Sequence, residues 1–498
     1  MLFELRKKTS LVSVLVLCGF LGACSDSGSS DDDDSEDTSQ NPVIGAFNAV
    51  SDLNEITLLT YDDDDEYRWA DLGFGQGVTS TVAKGEIGLR AEIILPSDDT
   101  TSCAGDVDED GIKDDDECTE IANDSIDVVK DTDYMVVLYG EYGDMEVLHY
   151  NKPLHVFDTE DEDEDGDAED ENAEVWFFNL TEALGEVDVY IEAPGTNLSP
   201  VQVKGTLAPK GNFSDLVDEG QYVITLTKPA DPETVLFTSE TFTITAQTRL
   251  ALAIRDGAGE GPSPVKITVF RGQSKTLLDR NASTELRFAH AVPDGVPDGE
   301  GIDVYLANEL TTPAISALAF AASSEYTEIA PSLLTDLSVD VTPTGNTGLY
   351  LARQELDLTQ GQKATYYFVG DEYDWDGVKL ADDVRRLATH AQLRLINGKN
   401  SNLDYYVVDQ HENISTLSPT DTLSYRRSTG WEVYNPGTYD LVVTDASTDT
   451  IVYSDTIELV AGNIYSLVTT INSADPTAAD AIYLDDFVSS DHEVSEAE

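Results

Sequence analysis

The sequence predicts an all-β chain of four tandem sandwich domains, and three observations carry that prediction. A strand–loop–strand opening is written four times: VIGAFNAVSDLNEITLL from Val43, EVWFFNLTEALGEVDVYI from Glu174, ELRFAHAVPDGVPDGEGIDVYL from Glu285 and QLRLINGKNSNLDYYVV from Gln392. Self-similarity at the spacing of a small domain marks an array of like modules. After each opening come alternating apolar segments that follow a turn residue, VAKGEIGLRAEI, LVDEGQYVITLT, SLLTDLSVDVTP and VYNPGTYDLVVTD. That alternation is the mark of half-buried strands. No stretch sustains a helical period.

Taken in order, residues 1–23 form a targeting segment. Arg6, Lys7 and Lys8 precede an apolar run from Leu11 to Phe20, which is the layout of a secretory signal and too short to span a bilayer. Leu21-Gly22-Ala23-Cys24 resembles a bacterial lipobox. The resemblance implies cleavage before Cys24, acylation of its thiol and firm anchoring to a membrane, since several acyl chains hold where one does not. Ser25 at the next position implies the outer membrane by analogy with lipoprotein sorting. An ordinary cleaved signal with a coincidental cysteine is the alternative.

Residues 24–42 read as a disordered acidic tether, because small polar residues and repelling aspartates cannot bury a core. Fully stretched, such a tether reaches roughly 60 Å. The sandwich modules are expected at 43–157 (with an insertion at 98–124), 174–272, 284–384 and 390–488, with an acidic linker at 158–173 and an acidic tail at 489–498. Each closes on a hairpin-like segment, as in DYMVVLYGEYGDMEVLHY and ATYYFVGDEYDWDGVKLAD, with Gly, Asp or Pro in the turn. About seven short strands in about 100 residues point to immunoglobulin-like sandwiches.

The third opening resembles the bacterial repeat known as domain of unknown function 4397, whose pattern runs L-R-hydrophobic-x-H-A-x-P-D and then V-D-V-Y. The match rests on His290, Pro293, Asp294, Asp303 and Tyr305. The fourth module follows through Asn397, Asp404 and Tyr406, and the first two diverge. The resemblance implies fold and surface location; it brings no activity.

Charge narrows the partners. The chain holds 97 Asp plus Glu against 28 Lys plus Arg, a net charge of -69. Such a surface repels nucleic acid and anionic membranes. It reads either as a solubilising surface or as one that binds cations.

Asp106, Asp108, Asp110, Gly111, Ile112, Asp114 and Glu117 fit the twelve-residue calcium loop D-x-D-x-D-G-x5-E. The aspartates would supply side-chain oxygens, Ile112 its carbonyl and Glu117 a bidentate carboxylate. No amphipathic helices flank it, so it resembles the isolated loops of thrombospondin type 3 repeats. Cys103 and Cys118 bracket it as a candidate disulfide, which would close about 15 residues and contribute about 3 kcal/mol. An extracellular loop of this kind binds Ca2+ at roughly 10⁻⁴–10⁻³ M, which suits a structural ion. A second run, Asp161 to Glu169, starts the same pattern but meets Asn172 where glutamate is needed. It reads as a charged linker or a weak calcium clasp.

Asn48, Asn179, His290 and Asn397 occupy equivalent places, followed by Glu55, Asp188, Asp303 and Asp404. An amide and an imidazole both hold a loop by hydrogen bonds, but an amide cannot shuttle protons. These groups are therefore expected to fix loops. Tyr373 and Trp375 lie in an acidic hairpin tip, where aromatic rings either contact a ligand such as a sugar or fold back on their own module. The expected function is non-catalytic: a stalk displaying sandwich domains for adhesion to polysaccharide, matrix or envelope proteins, stiffened by calcium. A periplasm-facing scaffold or accessory subunit is the alternative, and an enzyme comes third.

Overall fold

The computed structural model describes residues 40–61, 66–96, 118–157, 171–272, 274–293, 296, 301–306, 310–335 and 337–485. Cys24, Cys103, the calcium loop, the second acidic run and Asp294 lie outside them.

The first module has eight strands: β1 (Val43–Val50), β2 (Glu55–Tyr61), β3 (Glu66–Gly73), β4 (Gly77–Thr81), β5 (Gly85–Ile93), β6 (Thr119–Val128), β7 (Thr132–Glu141) and β8 (Asp144–Pro153). They form two sheets, in the orders β4-β1-β7-β8 and β3-β2-β5-β6. β1 runs parallel to β7, and its other neighbour β4 is antiparallel. The other three modules repeat this arrangement. Their first strands, Asn172–Leu180, Thr284–His290 and Ala391–Asn397, each pair in parallel with the counterpart of β7. The second module adds short strands at Phe242–Ile244 and Lys275–Leu277, so it runs past the expected boundary at 272.

The all-β sandwich reading holds, with a difference in strand count and connectivity. Among the described residues three modules carry eight strands and the second carries ten, rather than about seven. Strands 1, 4, 7 and 8 are split from 2, 3, 5 and 6, whereas immunoglobulin constant domains split ABED from CFG. Among the described residues, helical structure is limited to three short 3-10 turns.

The sheet containing the first strand is buried on both faces. Asn172–Leu180 and Ala391–Asn397 are buried at almost every position, where a one-sided sheet would alternate. The reason is that modules pack in pairs through this sheet. Between modules one and two, Phe47, Met135, Val137 and Tyr150 meet Trp176, Phe178, Ala251 and Phe270 in one apolar cluster. Phe47 and Phe270 lie 4.5 Å apart. Gly77 admits Phe270, since a Cβ there would sit 2.4 Å from its ring. Fully burying one such aromatic is worth about 1.5–3 kcal/mol.

Modules three and four meet through Ala289, Ala291, Val369, Ile396, Val468 and Ile482. A polar seam runs beside them. Arg394 donates to Tyr367 Oη at 2.7 Å and to Asp382 Oδ1 at 3.0 Å. Thr365 and Tyr326 hydroxyls donate to Asp382 Oδ2 at 2.5 and 2.8 Å.

The segment 382–390 joins the last two modules and also docks on the first two. Arg385 donates to the carbonyls of Ser51 and Leu53 at 2.9 and 2.7 Å. Ala388 N donates to Asp52 O at 2.7 Å, and Val384 N to Gly259 O at 3.3 Å. An array of modules strung along a stalk would lack these contacts; the four sandwiches are packed together.

Candidate functional site

Each module carries, at or near the end of its first strand, a buried polar side chain that hydrogen-bonds its own loops. Asn48 Nδ2 donates to Leu72 O at 2.9 Å, while its Oδ1 accepts from Val50 N at 2.8 Å. Asn397 does the same with Ser401 O, Leu423 O and Lys399 N. Asn179 donates to Gly185 O and Leu207 O at 3.0 and 3.2 Å. His290 is buried, and its Nδ1 accepts from Val292 N at 3.4 Å. Burial holds its pKa down at about 4, so the ring is neutral at ordinary pH.

The acids on the second strand brace neighbouring segments. Asp188 accepts from Thr206 Oγ1 at 2.5 Å and Ala230 N at 2.7 Å. Asp303 accepts from Ala317 N and Gly345 N, both at 2.9 Å. Asp404 accepts from Thr422 Oγ1 at 2.6 Å. Glu55, expected to be the first module's counterpart, is exposed. Register puts Thr57 in that place, and its hydroxyl donates to Asp71 across the ladder at 2.9 Å. Asp188 faces Thr206 and Asp404 faces Thr422 in the same way. The first module thus keeps the Asp–Thr pair with its members exchanged, a substitution the linear motif hides.

Trp375 is not open to a ligand. Its ring is buried in the third core and lies 5.2 Å from His290. The hairpin folds it back because an indole stabilises far more inside than at the tip. Tyr373 remains 88% exposed, on a turn whose Asp371 carboxylate accepts from Tyr373 N and Asp374 N at 2.9 and 3.0 Å. Phe320, Leu349 and Tyr350 are also exposed. They lie in the 3–4 and 5–6 connections of module three, which emerge at the same end as the 7–8 turn carrying Tyr373. Sequence reading missed these three because isolated apolar residues in loops are ordinary; only the topology gathers them.

The expected calcium loop lies outside the described residues, but its flanks do not. The insertion joins β5 to β6, and Ile93 pairs with Thr119 across the ladder. Paired residues stand about 4.5–5.5 Å apart, so the two ends of the insertion are held together. Among the described residues no group of three His, Cys, Asp or Glu side chains is arranged to hold a metal.

Residues 284–406 match the family model described as domain of unknown function (DUF4397). This segment is the third sandwich together with the start of the fourth. No curated protein matches the chain. Among solved structures, it is similar to the Bacillus anthracis TIE protein, at 8% identity and a TM-score of 0.14, covering 89% of this chain and 75% of that one. It is also similar to a CBM26 domain of Eubacterium rectale Amy13K in complex with maltoheptaose, at 12% identity and a TM-score of 0.15, covering 42% and 98%. A putative cell adhesion protein from Bacteroides ovatus is 9% identical with a TM-score of 0.14, covering 64% and 99%. Scores this low carry no argument about function.

Proposed function

We propose that this chain is a non-catalytic envelope lipoprotein, anchored through Cys24, that presents a packed block of four β-sandwiches for binding or adhesion. Its ligand is a polysaccharide, a matrix component or another envelope protein. The observation that carries the reading is how the modules use their recurring polar groups. Asn48, Asn179, Asn397, Asp188, Asp303 and Asp404 spend their hydrogen bonds on neighbouring loops of their own module. Rigid loop ends on a sandwich are binding platforms. Tyr373, Tyr350 and Phe320 supply exposed aromatic surface at one such end.

Calcium at Asp106, Asp108, Asp110, Ile112, Asp114 and Glu117 would stiffen the first module. Support comes from the acidic spacing and from the clamped flanks Ile93 and Thr119. A Cys103–Cys118 bond would close the same loop.

Protease shaving of intact cells, with a periplasmic protein as leakage control, tests the reading. Loss of the modules from intact cells is the expected result. Survival until the outer envelope is opened would favour the scaffold reading and point to a periplasmic complex. Cys24→Ala should move the protein into the soluble fraction; continued tight membrane association would remove the anchor from the proposal.

A further inference from the structure

We propose that Lys152 and Asp133 condense into an intramolecular amide, with Glu174 of the second module as the proton relay. Asp133 on β7 and Lys152 on β8 stand directly opposite in the antiparallel register. Lys152 Nζ lies 3.1 Å from Asp133 Oδ2 and 2.7 Å from Glu174 Oε1. Asp133 has no exposed surface, and the other two side chains are about nine-tenths buried. The ring of Trp176 walls the group, 5.0 Å from Nζ. Glu174 and Trp176 come from the second module, so the trio assembles only when the two sandwiches pack.

Arg271 Nη1 also donates to Asp133 Oδ2, at 2.6 Å, but the rest of the trio is poorly satisfied. Lys152 Nζ makes its ion contacts without hydrogen-bond geometry, and among the described residues Asp133 Oδ1 and Glu174 Oε2 have no hydrogen-bond partner. Buried charges of this kind carry a desolvation cost that the pair only partly offsets. An amide removes one charge of each sign from the seam. Other lysine–carboxylate pairs differ. Lys210–Glu146 and Lys275–Glu240 are more exposed, and Lys266, 3.1 Å from Glu260 Oε2, also donates to the Glu260 carbonyl.

The step balances without any oxidant or co-reactant. Glu174 takes a proton from the Lys152 ammonium, and the freed Nζ lone pair attacks Cγ of Asp133. Negative charge gathers on Oδ2, where Arg271 Nη1 already lies 2.6 Å away and stabilises it as a fixed donor would. The Cγ–Oδ1 bond then breaks. Oδ1 leaves as water with two of the three ammonium protons, one relayed by Glu174, and the third stays on the amide nitrogen. Burial holds the reacting atoms together at high effective molarity.

The test is the intact mass of the purified, reduced full chain. The wild type is expected to be lighter by one water, and Lys152→Arg and Glu174→Gln to have full mass. Fragmentation of the wild type should show no backbone cleavage products between 133 and 152, a readout independent of whether either variant folds. Full wild-type mass, with Lys152 open to an amine-specific label after denaturation, would overturn the proposal. So would a water loss that persists in Lys152→Arg and maps to an Asp-Gly step, because that is succinimide. Condensation in Glu174→Gln would overturn the relay role.

Discussion

The interface between modules one and two and the interface between modules three and four use the same sheet and solve the same problem differently. The third residue of each opening motif faces away from its own core: Gly45, Trp176, Arg287 and Arg394. At these positions of the first pair the solution is steric, although Arg271 and Lys152 meet Asp133 and Glu174 elsewhere in the same seam. Gly45 is opposite Met135 and Trp176 opposite Ala251, so large and small residues alternate across the parallel ladder. In the second pair it is polar. Arg287 Nε donates to Thr365 Oγ1 at 2.9 Å, and Arg394 Nε to Ser466 Oγ at 3.2 Å, each directly across from its partner strand. A sheet face can therefore be covered by shape or by a hydrogen-bonded cation. The second choice requires every charge to be met.

That difference is open to direct attack. Asp382→Ala should be the most damaging change, because it strands Arg394 in a buried seam; loss of one partner of such a pair costs about 3–5 kcal/mol. Urea titration would show it, and Asp382→Asn, which keeps acceptors for Tyr326 and Thr365, should lose less. Equal losses would mean that the charge carries the whole contribution and the hydrogen bonds from Tyr326 and Thr365 add nothing. Trp176→Ala should cost about 3–5 kcal/mol through the cavity it leaves. A loss below about 1 kcal/mol in the same titration would contradict the steric account.

A smaller effect separates the modules by pH. His290 has its folded pKa depressed to about 4 by burial. The unfolded chain therefore binds the extra proton first as pH falls below about 6.5. Stability from this group is complete above about 6.5 and is lost towards pH 4, by up to about 3 kcal/mol. His290→Asn installs the residue that the other three modules use and should flatten that part of the profile. An unchanged slope would show that other groups set it. The smallest effect is expected at the exposed tip, where Tyr373→Ala should change stability by no more than about 0.5 kcal/mol. Retained affinity for any glycan that binds the wild type would remove Tyr373 from the binding surface.

Much of this was legible in the sequence. The β class, the four modules and the polar residue at or near the end of each first strand follow from local patterns, because side-chain alternation and turn chemistry act over a few residues. One available signal went unread. Segments such as EVWFFNL, RLALAI and ATYYFV are apolar at consecutive positions, which marks a strand covered on both faces. Read that way, they anticipate paired sandwiches rather than a stalk.

What the sequence determined by itself is the repeating unit and its chemistry at each loop. Tertiary structure alone decided which outward faces meet, since those contacts join residues far apart in the chain, as Arg271 joins Asp133 across 138 positions. It also decided that Trp375 turns inward, that Thr57 and Asp71 exchange the roles seen in Asp188 and Thr206, and that Glu174 reaches Lys152. The physical reason is common to all of them. Burial and pairing depend on what packs opposite, and no local pattern specifies the opposite face.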